Sequence, residues 1–200
     1  MATTSGERTL RADAQRNQDR IVAAAHEAFA ELGYEVPIEE IARRAGVGAA
    51  TIYRRFPTKE RLLRAIFDVR IAELEPAIAT ARATPDAWQG LLAGMRSLIE
   101  IQAANMVFLQ VLDQAGVMPE LRGEIQARVF APLSELFARA QASGQIRTDL
   151  DPAELPLLIR MVTSTAKHSP ECPIRGGAER YLTLLADALR TPAPTALPPA

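Results

Sequence analysis

A chain of 200 residues holds one compact domain or two small ones, and 48% hydrophobic with 24% charged residues is the balance of a globular protein, not a disordered one. Its formal net charge of −1 names no polyanionic partner by itself, and the lone Cys172 forbids an internal disulfide and suits a reducing compartment. No apolar run reaches the ~18 residues of a membrane span, so no membrane partner is expected.

The opening stretch, MATTSGERTLRADAQRN, lacks the apolar segment of a secretory signal, and a cytoplasmic protein is expected. His26 and His168 lie far apart, and neither has the Glu three residues before it that a di-iron bundle uses. The GxSxG elbow, the GxxxxGK[ST] phosphate loop and GxGxxG are all missing. The expectation is therefore no catalytic residue, no metal site and no cofactor. Charge is mildly uneven: residues 1–70 carry twelve Lys and Arg against ten Asp and Glu. A local basic stripe matters more than that sum, because it can bind a polyanion on an otherwise neutral chain.

Hydrophobic spacing predicts helices almost throughout. Ile21, Val22, Ala25, Phe29 and Leu32 share one face of a helix that Gly33 stops. Pro37 opens a short second helix with Ile38, Ile41, Ala42 and Ala45 inward, broken at Gly46-Val47-Gly48. A third short helix covers 49–56 and ends at Pro57. Thr58 caps a longer fourth helix with Leu62, Leu63, Ile66, Phe67, Ile71 and Leu74 inward, which Pro76 is expected to kink or end. Thr84-Pro85-Asp86 is a start signal, with Thr84 as cap, for a helix burying Trp88, Leu91, Leu92, Met95, Leu98 and Ile99. A shorter segment at 106–112 stops near Gly116, and a helix from about Pro119 to Ala142 should bend at Pro132 and end at Gly144. Asp151-Pro152 repeats the cap-plus-proline signature for a helix to about His168. A loop fills 169–177, a last helix 178–189, and the Pro-rich tail TPAPTALPPA is expected to be disordered. Strand alternation is missing, so the fold class is all-α.

The segment PIEEIARRAGVGAATIYRRF carries the chemistry. Two-turn helices are unstable alone, so packing must hold both. Ile38, Ile41, Ala42, Ala45, Val47 and Ile52 have the spacing for it, and Gly46 supplies the tight turn. The third helix then turns Ala49, Ala50, Thr51, Tyr53, Arg54 and Arg55 outward. Small residues at its start let the backbone approach a groove, and its hydroxyl and guanidinium groups can donate to phosphates or base edges. Helix-turn-helix geometry puts such a second helix in the major groove of DNA.

The run NQDRIVAAAHEAFAELGYEVPIEEIARRAGVGAATIYRRFPTKERLLRAIF resembles the N-terminal DNA-binding domain of TetR-type transcriptional regulators, with AFAELGY, IARRAGV and TIYRRFPTKERLL as its most specific blocks. The resemblance covers about Arg16 to Leu74, a third of the chain. It implies an N-terminal three-helix helix-turn-helix DNA-binding domain at 16–74, with the motif at 37–56, after a flexible arm at 1–15. A C-terminal helical ligand-binding and dimerisation domain at 75–190 and a tail at 191–200 would follow. By the same resemblance Gly48, Ala49, Ala50, Thr51, Tyr53 and Arg54 face DNA, joined by Arg55. Lys59 contacts phosphate with the help of a helix N-terminus. Arg43 and its neighbour Arg44 touch the backbone or form surface pairs. Two positions depart from the family pattern: Pro37 replaces a common hydroxyl residue, and Ala49 a common basic one.

Plainer readings exist for the same residues. Arg54 and Arg55 also fit a solvated helix face, Tyr53 also fits the core, and Arg8, Arg11 and Arg16 fit either a groove-binding arm or a plain terminus. In the second half Trp88, Met95, Ile99, Met106, Phe108, Leu112, Phe130, Phe137 and Met161 are core by default. The family resemblance makes them, with Thr165, candidates to line a cavity for an apolar or aromatic effector. Thr163, Ser164 and His168 are further polar candidates, and Cys172 is read as an exposed thiol. The function this supports is a homodimeric DNA-binding regulator, a ligand-responsive repressor of a palindromic double-stranded operator, paired through its last two helices. A helical enzyme or an interaction module without operator binding are the alternatives.

Overall fold

The computed structural model describes the backbone of residues 4–165 and 177–192 together with 195 and 197; side chains are described for these except 4–11, 103, 104, 106, 164, 165, 177 and 178. Ten α-helices appear among them: α1 (Thr4–Leu32), α2 (Ile38–Ala45), α3 (Ala49–Arg55), α4 (Lys59–Ala83), α5 (Ala87–Ala104), α6 (Met106–Gln114), α7 (Met118–Ile125), α8 (Ala131–Ala142), α9 (Leu155–Thr165) and α10 (Gly177–Leu189). The described residues form no strand, only an isolated bridge between Ile146 and Arg190. The chain divides into two compact units, Met1–Arg70 with Asn105–Glu120, and Ile71–Ala104 with Leu121–Ala200.

In unit 1 the inner face of α1 buries Ile21, Val22, Ala25, Ala28 and Phe29. The helix starts at Thr4, so the stretch expected as a flexible arm is helical over most of its length. Good helix formers (Glu7, Arg8, Leu10, Arg11, Ala12, Ala14, Gln15) outnumber the poor ones there, and the helix surface pairs Arg16 with Asp13 and Gln15 with Asp19 at helical spacing. Unit 1 also gains a segment that periodicity could not assign to it. Helix α6 packs on α1 and buries Phe108, Val111 and Leu112. His26 Nε2 lies 2.7 Å from Asn105 Oδ1, and the His26 ring meets Phe108 edge-on at 5.3 Å. Gly116, with φ of 70°, closes α6 as Val117 N–H donates back to Leu112 O.

Helix α4 continues through Pro76 to Ala83, so the proline does not end it, the alternative to a kink that the sequence leaves open. Leu74, Ile78 and Ala81 continue its buried stripe past the proline, so packing outweighs the missing N–H. Thr80 Oγ1 adds a bond to Pro76 O at 2.8 Å. The start of α5 is corrected by two residues: Asp86, not Thr84, is the cap, its carboxylate accepting from Gln89 N–H at 2.9 Å. Ahead of Pro132, where the sequence suggests a bend, the chain makes a π turn over Gln126–Phe130, with Ala131 N–H donating to Gln126 O five residues back.

Unit 2 is built around α5, which packs against α8, α9 and α10. Two glycines allow the close approach. A Cβ on Gly90 would stand 2.5 Å from Ala81 O, and one on Gly94 would collide with Leu133 Cδ2. Asp151 forms a reciprocal capping box with Glu154 at the start of the short 3-10 turn Pro152–Glu154 ahead of α9. The tail is tied down where it is described, against the expectation of disorder. Buried Arg147 pairs with Asp149 and donates to Thr195 O at 2.6 Å, and Leu197 N–H donates to Asp149 at 2.9 Å. A buried guanidinium needs acceptors on every side, and the tail backbone supplies one. The loop expected at 169–177, and with it His168 and Cys172, lies outside the described residues except for Gly177, which opens α10.

Candidate nucleic-acid interface

Helix α2 has too few residues to stand alone and is fixed from three sides. Ile38, Ile41, Ala42 and Ala45 are buried beneath it. Glu39 and Glu40 sit in its first turn, where carboxylates suit the helix dipole, and Arg43 and Arg44 in its last. Gly46 then turns left-handed at φ 65°, and Val47 N–H donates to Ala42 O at 3.0 Å. Arg20, a residue of α1 that sequence reasoning passed over, donates from Nη2 to Ala45 O at 2.5 Å. A Cβ on Gly46 would come within 2.9 Å of that guanidinium, so both conformation and space select glycine at the turn.

Extended Gly48 leads into α3, and Thr51 N–H donates to Gly48 O at 2.9 Å. The helix is pinned by Ile52, fully buried, and by Phe56, buried just past its end. With that side inward, Gly48, Ala50, Tyr53, Arg54 and Arg55 are exposed, while Ala49 and Thr51 are half-buried. Tyr53 is 50% exposed, which settles it as a surface residue and not a core one. The helix has no acid, and two arginines end it. Small side chains lead, and aromatic and cationic donors follow on one accessible face, an arrangement suited to a DNA groove and its phosphates.

The flanking cations differ in their freedom. Arg43 is exposed but holds Glu40 through two bonds of 2.8 and 2.7 Å, and Arg44 bridges Glu40 and Glu31 at 2.8 Å each. Hydrogen bonds from Arg43 first, then Arg44, hold the Glu40 carboxyl well below its usual range, at about 2. Lys59 is half-buried, donates to Tyr34 O at 2.7 Å and lies 4.9 Å over the Tyr34 ring, which leaves it two further donors. Thr58 Oγ1 caps α4 by accepting from Arg61 N–H at 3.3 Å. Tyr34 also donates its hydroxyl to Glu60 at 3.0 Å, and this bond raises the phenol above its ordinary value. Arg55 donates to Gln18 Oε1 of α1, a contact that sequence reasoning passed over.

The residues named for an effector are not gathered in this way. Trp88, Met95, Ile99 and Phe137 are buried in unit 2, whereas Phe108 and Leu112 are buried in unit 1. Phe130 is half-buried in the π turn, and Met161 is 63% exposed on α9. Thr163 is buried and bonds back to Arg160 O of its own helix at 3.2 Å. The side chains of Met106, Ser164 and Thr165 lie outside the described residues. A groove of about 540 Å³ in unit 2 is lined by other residues, among them Asp86, Arg139, Ser143 and Gln145.

The family model described as bacterial regulatory proteins, tetR family, matches residues 21–66, from the inner face of α1 into α4. The crystal structure of a TetR transcription regulatory protein from Mycobacterium vanbaalenii is similar at 34% identity, with a TM-score of 0.64 over 91% of this chain and 99% of that one. A TetR transcriptional regulator from Streptomyces coelicolor is similar at 31% identity, with a TM-score of 0.64 over 88% of this chain and 99% of that one. The HTH-type transcriptional regulator SrpR of Pseudomonas putida is 24% identical over 149 residues, 72% of this chain and 70% of that one.

Proposed function

The chain belongs to the TetR family of bacterial regulatory proteins and is a DNA-binding transcriptional regulator, not an enzyme, and we propose that it works as a homodimeric repressor of a palindromic operator, released by a small molecule. The outward face of α3 carries this reading: Tyr53, Arg54 and Arg55 are exposed around an Ile52 and Phe56 anchor that fixes the helix. Ala49, Ala50 and Thr51 would enter the major groove with Gly48 at the helix entry. Arg43 and Lys59 would reach the flanking phosphates.

Pairing is assigned to α9 and α10. Leu157, Met161 and Leu184 are exposed on these two helices, which pack on each other, and apolar surface of this kind is suited to a second copy of itself. Dimerisation would set two α3 helices about 34–36 Å apart, or a multiple of that, on one face of the duplex. No described helix is long and apolar enough to cross a membrane. We place the protein in the cytoplasm, with its operator.

An apolar or aromatic effector among the α5 and α8 side chains, near Trp88, Met95, Ile99 and Phe137, would act through α4, a single helix from Lys59 to Ala83. Operator and effector would then weaken one another by the same factor, typically ~1–3 kcal/mol. The test begins with a duplex selected by the protein from a randomised-sequence pool. Tyr53→Ala and Arg54→Ala should each weaken binding of that duplex about tenfold or more while leaving Tm unchanged. Unchanged affinity in both variants would refute the α3 face as the DNA surface.

A further inference from the structure

Resting on the operator-binding reading, we infer that α1 is part of the DNA interface: Asn17 and Gln18 join Thr51, Arg54 and Arg55 in a seat for one backbone phosphate, and Gln18 is the positioning residue that holds Arg55 in it. A pocket of about 270 Å³ lies within unit 1, lined by Ala14, Asn17, Gln18 and Ile21 of α1 and by Thr51, Arg54 and Arg55 of α3. Its lining has two guanidinium groups, two amides, one hydroxyl and no carboxylate. The acids nearest in sequence are already engaged, Asp13 with Arg16 and Asp19 with Gln15. The opening is therefore donor-rich, and a phosphate oxygen is the ligand that several donors from two helices satisfy together.

The Gln18 contact gives the seat its order. Residues 18 and 55 are far apart in sequence, and the bond between them ties the end of α3 to α1. Gln18 uses its carbonyl for Arg55, which keeps its amide NH2 as a donor, and Arg55 keeps its remaining N–H groups. A long exposed arginine loses much rotamer freedom when it binds a phosphate, and an acceptor that restrains it beforehand lowers that cost. Thr51 and Arg54, one helical turn apart on α3, face the same opening.

The experiment measures binding of the pool-selected duplex by fluorescence anisotropy across a salt series, with Tm as the folding control. Arg55→Ala should lower the slope of log affinity against log salt by about 0.9, the value of one phosphate contact. Gln18→Met keeps length and helix propensity but loses the acceptor; it should weaken binding about fivefold alone and by clearly less in the Arg55→Ala background, where only the direct amide contact is left to lose. Gln18→Glu separates a phosphate seat from a simple clamp between helices. A carboxylate grips Arg55 more firmly, so a clamp would leave binding intact or improve it. In a phosphate seat it neutralises Arg55, and both affinity and salt slope should fall as in Arg55→Ala. Intact binding by Gln18→Glu, or a Gln18→Met loss undiminished in the Arg55→Ala background, overturns the inference while Tyr53→Ala and Arg54→Ala still report on operator binding. If the wild-type protein selects no duplex, both readings fall.

Discussion

In unit 1 the helix α3 buries one of its seven residues, Ile52, and turns most of the others toward solvent; in unit 2 α5 buries Trp88, Leu91, Met95, Leu98 and Ile99 along its length. The first helix is held by its neighbours so that it can present side chains, the second so that it can fill a core. Donors held outward on a packed scaffold add little to the core beneath them, and so they speak of a partner. A buried Trp or Met is accounted for by burial alone, whatever else it touches.

The sharpest way to break this contrast is at Phe137. It is fully buried in α8, and Phe137→Ala should cost about 3–5 kcal/mol of stability in urea unfolding, as core truncations of this size do. Tyr53→Ala, on the surface of α3, should stay within about 0.5 kcal/mol. If Phe137→Ala costs less than about 1 kcal/mol, the side chain borders open space, and the effector reading of α5 and α8 gains what the core reading loses.

Glycines refine the same contrast. In a helix interior Gly→Ala usually stabilises by about 1 kcal/mol through propensity. At Gly90 the new Cβ would meet the backbone oxygen of Ala81 at 2.5 Å, with Leu136 Cδ2 and Thr84 Cβ each at 3.3 Å. Backbone cannot rotate away, so Gly90→Ala should destabilise unit 2 by about 1–3 kcal/mol net and lower Tm. Gly48, at the entry to α3, has nothing within 4 Å of a built Cβ and an ordinary φ of −76°. Gly48→Ala should leave Tm unchanged and alter only DNA affinity. A stabilised Gly90→Ala would show that α4 and α5 are less closely held than this packing implies.

The legibility of these regions follows from the same physics. The helix-turn-helix was readable because its apolar spacing, its turn glycine and its outward cations all lie within 37–56, and local rules govern each of them. The packing of α6 on α1 was not, since the spacing of Phe108, Val111 and Leu112 states which face is apolar and not which helix will cover it. Pro76 misleads for a related reason: propensity marks a break, while Leu74, Ile78 and Ala81 are packed on both sides of it. The roles of Arg20 and Gln18 lay beyond sequence reading because each depends on a partner more than twenty residues away, Ala45 O in one case and Arg55 in the other. For the effector residues, periodicity distinguishes inside from outside but does not distinguish a packed interior from a lined cavity.

The smallest effect concerns the charges that brace α2. Glu40 accepts from Arg43 and Arg44, and its carboxyl is held at about 2 against an ordinary 4.5. A carboxyl whose folded pKa lies below its unfolded one stabilises the fold above the unfolded value, and that contribution is lost as pH falls from about 4.5 through about 2. Glu40→Gln should therefore differ from wild type at neutral pH and lose that difference progressively in acid. The effect is modest because Arg43 is largely in water, where an ion pair is weak. In unit 2 the Arg96 hydrogen bond lowers Glu179 in the same direction. Carboxyl carbon NMR on the intact protein can follow both residues as pH is lowered from 6 to 3. Glu40 should remain mostly ionised at the acid end. A Glu40 midpoint near 4.5 would mean that the arginines of α2 are not spent on Glu40, leaving Arg43 unencumbered for the flanking DNA phosphate.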